Sequence, residues 1–197
     1  MVLMDVTVET GIQMPLKAGW NMFGWTTKQG YYEGVTAPQA SDLISGGVMS
    51  SVGSKLISDV FGTMGFTTTE AIVAVGPDGV VYTPGSPFNT LKKLLPGKGY
   101  WLYAPAAKTV TVPGSPLAAT DQLPLNLGWT QIGYWGTDGA TPAIGFSCIS
   151  GQSDVVVDEA GKVYVTGSPF NTLKSMQKNK GYFIHTTTPT SLKFQCQ

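Results

Sequence analysis

The chain has 197 residues, 42% of them apolar and only 12% charged, with twelve basic residues against twelve acidic ones. That apolar content builds a core and argues against disorder. All twelve basic residues are lysines, so the basic face and arginine forks of a nucleic-acid binder are missing, and no apolar run reaches the ~18 residues of a membrane span.

The opening MVLMDVTVET lacks the basic region and long apolar run of a secretory signal. The expectation is a removed signal or another exit route, as for virion proteins. Its DVTVE alternates and predicts an edge strand. GWNMFGW then reads as a strand rich in aromatics. Residues 26–65 follow, with Tyr31 and Tyr32 in the polar tip KQGYYEG; a short helix is expected from Pro38, stopped at Gly46-Gly47, with a further strand after it. EAIVAVGPDGVVYT carries two β-branched runs around Gly-Pro-Asp-Gly, a hairpin signal. GSPFNTLK, a helical turn at NTLKKL, a Gly-Lys-Gly turn and the strands YWLYA and KTVTV complete the unit.

The same order then repeats. GSPFNTLK occurs unchanged at residues 85–92 and 167–174, inside a correspondence of residues 79–114 with 161–196 at a constant offset of 82. Upstream, PLKAGWNMFGW matches PLNLGWTQIGY at an offset of 109. A repeat of this size means two related modules rather than a solenoid. The boundary falls in the Pro/Gly/Ser-rich stretch 112–124, giving modules 1–114 and 115–197, the first carrying 26–65 as an insertion. The fold class expected is mainly β: two small sandwich- or barrel-like modules with short helical turns. Within the shared loop Pro fixes φ, Asn or Thr caps the helical turn, and Phe88 and Phe170 are expected to plug the core. Trp20, Trp129, Trp101 and Tyr182, at matching positions, are expected in the core as well.

The motifs GWNMFGW and FNTLKKLLPGKGYWLY together resemble a repeat of secreted bacterial and archaeal surface proteins. That resemblance implies a surface or polymer-associated setting and no enzymatic activity. Copy two departs from it, with Thr130, Lys178, Asn179 and Phe183 where copy one has Asn21, Pro96, Gly97 and Trp101.

No residue set argues for chemistry. His185 is a lone histidine opposite Tyr103 in the repeat, which predicts a partly exposed strand position. The carboxylates are scattered, and Asp154, Asp158 and Glu159 lack the spacing of a calcium loop, reading instead as a solvated hairpin tip. No enzyme, no cofactor and no metal are expected. Cys148 and Cys196 occur only in copy two, which favours a disulfide worth roughly 3–4 kcal/mol over two reduced core thiols.

Two functional classes remain. One is a structural or adhesive module at the cell surface, in an extracellular filament or on a virion, with surface or structural proteins as partners. The other is a carbohydrate-binding module whose polysaccharide ligand stacks on exposed rings. Tyr31, Tyr32 and Trp135 are the expected binding platform.

Overall fold

The computed structural model describes residues 11–32, 57–66 and 73–196. The expected edge strand at DVTVE and the helix starting at Pro38 lie outside them.

Copy one contributes β1 (Ile12–Leu16), β2 (Gly19–Gly24), β3 (Tyr31–Tyr32), α1 (Ile57–Thr63), β4 (Val73–Val75), β5 (Val81–Tyr82), β6 (Lys93–Leu94), β7 (Gly99–Ala104) and β8 (Lys108–Val112). Copy two contributes β9 (Leu123–Leu125), β10 (Gly128–Gly133), α2 (Pro142–Gly145), β11 (Ser153–Val157), β12 (Val163–Val165), β13 (Gly181–Thr186) and β14 (Thr190–Leu192). Their strand orders coincide. Copy one forms an antiparallel sheet β2-β7-β4-β5 with a ribbon β1-β8, and copy two forms β10-β13-β11-β12 with a ribbon β9-β14. The protein is thus mainly β and internally duplicated. Both four-stranded sheets stay open among the described residues, with no barrel closure in either strand order.

Each sheet packs its inner face into its own apolar cluster. Phe23, Trp25, Ala74, Tyr100 and Leu102 meet Met14, Leu16, Val110 and Val112 of the ribbon in copy one. Ile132, Tyr134, Val156, Tyr182 and Ile184 meet Leu123, Leu125 and Leu192 in copy two. Side chains alternate across a strand, so the register that buries Phe23 and Ile132 turns Trp20 and Trp129 outward. These tryptophans are 46% and 57% exposed, correcting the expectation of core packing. Trp101 is half-buried, and Tyr182 is buried.

Two further expectations change. Residues 57–63 form a helix instead of a strand, burying Ile57, Val60 and Phe61. Residues 89–92 form no helical turn, because Asn89 and Thr90 bond backward to the preceding strand (below) and no helix N–H needs them.

The copies meet about a pseudo-two-fold axis. Gly24 N–H donates to Asn179 O (2.9 Å), while its repeat partner Gly133 N–H donates to Gly97 O (2.8 Å). The bridges Phe23↔Lys180 and Lys98↔Ile132 are related by the same two offsets. A methyl group on Gly24 would lie 2.4 Å from Gly133 Cα, so these backbones approach as only glycine permits. The Asn21 amide donates to Lys17 O and Gly19 O, tying the β1–β2 turn; in copy two Thr186 Oγ1 donates to the corresponding Asn126 O and Gly128 O. That substitution explains how Thr130 could replace the asparagine. No described helix is long and apolar enough to cross a membrane.

Candidate functional site

The shared loop is braced from both sides of its tip. Asn89 accepts from Thr83 N–H (2.7 Å) and donates to Thr83 O (3.0 Å); Asn171 does the same with Val165 at 2.7 and 3.1 Å. Thr90 and Thr172 hydroxyls accept from Val81 and Val163 N–H. Ser86 and Ser168 hydroxyls accept from the N–H groups of Phe88 and Phe170, both at 3.2 Å. Gly85 and Gly167 take φ of 74° and 78°, the left-handed region that favours glycine. Leu91 and Leu173 are the side chains that enter the two cores.

The phenylalanines do not. Phe88 is 85% exposed and Phe170 88% exposed. The expected core plug is corrected: Leu91 and Leu173 fill that role, and the rings project from a loop whose backbone is hydrogen-bonded into place.

The expected platform also changes. Tyr31 is 1% exposed, packed edge-on against Trp25 at 5.4 Å. Trp135 is 2% exposed, edge-on to Phe194 at 4.6 Å with its indole N–H donated to Ala118 O. Neither presents a face to a ligand, because each is buried in its own apolar cluster. The backbone of Tyr32 pairs with Lys93, and its side chain lies outside what is described. Besides Phe88 and Phe170, the exposed rings among the described residues are Trp20 beside Tyr103 (5.5 Å, 68° between planes) and Trp129 beside His185 (5.2 Å, 56°). They were legible only through strand parity.

His185 is half-buried as expected, its Nδ1 2.6 Å from Asp154 Oδ1. Among the described residues no group of three or more His, Cys, Asp or Glu side chains could hold a metal. Burial pushes the Tyr134 phenol up to about 12, helped by Tyr182 and Asp138, so it stays a neutral donor to Thr137 O. Cys148 and Cys196 form a disulfide with Cα atoms 5.2 Å apart, and no free cysteine remains.

The tip of the copy-two hairpin is exposed at Ala160, Gly161 and Lys162, as expected, but Glu159 is not a solvated turn residue. Glu159 reaches copy one, where its Oε2 accepts from Met22 N–H (2.8 Å) and its Oε1 from Lys17 Nζ (2.9 Å). Burial works to raise this carboxyl, but Lys17, the Met22 N–H and Lys180 outweigh it and hold it below the usual carboxylate range.

Compared with family models, with characterised proteins and with solved structures, the chain matches none.

Proposed function

We propose that the protein is a non-catalytic interaction module of an extracellular or cell-surface setting, virion surfaces included. Each copy is a small sandwich-like unit whose shared loop contacts a surface or structural protein. One observation carries this reading: two phenylalanines stand 85% and 88% exposed on loops with the same bracing. An exposed ring on a mobile loop costs ordering entropy on binding, whereas a braced one is ready for contact. Aromatic anchors are also the residues that dominate protein interfaces. The resemblance to repeats of secreted surface proteins supports the setting, and the disulfide is at home in an oxidising compartment.

Carbohydrate binding is the second reading, now resting on Trp20 and Trp129 in place of Tyr31 and Trp135. It is the weaker one, because each exposed tryptophan stands tilted to its neighbour instead of forming a coplanar platform.

The two separate by experiment. Sedimentation velocity at high concentration and a glycan array are run on the native protein and on Phe88→Ser/Phe170→Ser. Association that the double substitution abolishes is the expected result. Glycan binding lost on Trp20→Ala or Trp129→Ala, with no association, would replace the first reading by the second.

A further inference from the structure

The internal symmetry provides a template for a ligand site. Met22 and Gln131 are repeat partners, as are Lys180 and Lys98, and as are Glu159 and Pro77. On one side of the pseudo-axis the Glu159 carboxylate sits on the Met22 N–H with Lys17 and Lys180 near it. On the other side proline supplies no carboxylate, and a cleft of about 490 Å³ opens between the Pro77–Gly79 turn and β10. Its lining includes Lys92, Lys93, Lys98 and Asp78, with Trp129 and Gln131 from β10.

Two donors are aimed there, one of them buried without an acceptor. Gly133 N–H points away from β13 to Gly97 O, so Gln131 N–H, two residues back, points off the same edge of β10, as its twin Met22 N–H points to Glu159. The Gln131 side chain is only 6% exposed, yet its Nε2 is buried with no hydrogen-bond partner. A buried amide donor left unmade is costly, at about 1–3 kcal/mol, and marks a position built for an acceptor. Burial pushes the Lys98 ammonium below its ordinary value, partly offset by Asp78, so a further anion beside it would be favoured.

We propose that this cleft receives a carboxylate from an acidic turn of a protein partner, bound by the Gln131 backbone and amide N–H groups and by Lys98. The occupant is a protein turn because the filled twin holds one, the Glu159 hairpin of this chain. Lys92 and Lys98 beside the single Asp78 suit the same ligand. The cleft takes Thr90 and Lys92 of the copy-one loop into its wall but not Phe88, and its test alters neither phenylalanine, so its failure leaves the function proposed above intact.

The probe is a synthetic peptide of residues 154–165, which carries Glu159, titrated calorimetrically into the full chain. A peptide with Glu159→Gln should bind about tenfold more weakly or worse, as loss of a charge-assisted hydrogen bond requires. Lys98→Met and Gln131→Met in the protein should each weaken the native peptide, the latter adopting the residue of the twin position. Pro77→Glu supplies the missing carboxylate from within and should abolish binding while leaving the melting temperature the same or higher. Equal affinity for the two peptides, or affinity unmoved by Lys98→Met in a protein that melts normally, overturns the proposal. So does binding of oligogalacturonate with no binding of the peptide, which would assign the cleft to an acidic sugar.

Discussion

At the scale of single residues, eight unchanged positions divide into those that hold a loop and one that the loop holds out. Ser, Asn and Thr bond the backbone, Gly supplies a positive φ, and Leu enters the core. Phe has no inward contact to protect. Asn89→Ala removes an acceptor and a donor from the Thr83 backbone, so it should cost about 1–2 kcal/mol in urea unfolding, with Asn171→Ala costing the same. An unchanged midpoint would mean the bracing is ornamental. The bonding capacity of Ser, Asn and Thr was legible in the sequence, but its direction was not. Asn89 reads equally as a helix cap or as a clamp on the preceding strand, and only the second leaves Phe88 outside. For the tryptophans part of the information was present in the alternation of GWNMFGW: Trp20 lies on the face opposite Phe23, although Met22 on that same face is buried.

At the scale of elements, the hairpins and their offset were readable because Gly-Pro-Asp-Gly and the β-branched runs are local signals. The cysteine pairing was readable because both partners are missing from copy one. Tyr31, Trp135 and Glu159 were not, since what fixes them comes from elements distant in sequence: Leu94 of β6, Phe194 and β2 of the other copy. The Glu159 contact has a pH signature. A carboxyl held below its unfolded value stabilises the fold above that value, and the contribution is lost as pH falls through the folded one. Glu159→Gln should therefore cost about 1 kcal/mol at neutral pH, discounted for partial solvent exposure. The gap between native and variant should close below about pH 4. A pH-independent difference in melts from pH 3 to 7 would mean that packing, not charge, accounts for it.

At the scale of the molecule, the two copies form one body whose halves are related by symmetry in backbone and by difference in side chain. Gly24 against Gly133 lets the sheets join edge to edge through paired backbone bonds. Repetition gave the copies, but nothing local in either predicts that they meet through glycines. The differences fall where the halves touch: a glutamate fills one inter-module position and a cleft marks its twin. The twin phenylalanines, both exposed, are the surface feature on which the functional account depends. Thermal unfolding of Phe88→Ser/Phe170→Ser tests it most directly. The account predicts stability within about 0.5 kcal/mol of the native protein, as for surface substitutions. A loss approaching the roughly 3–5 kcal/mol of a truncated core phenylalanine would place the rings inside and contradict it.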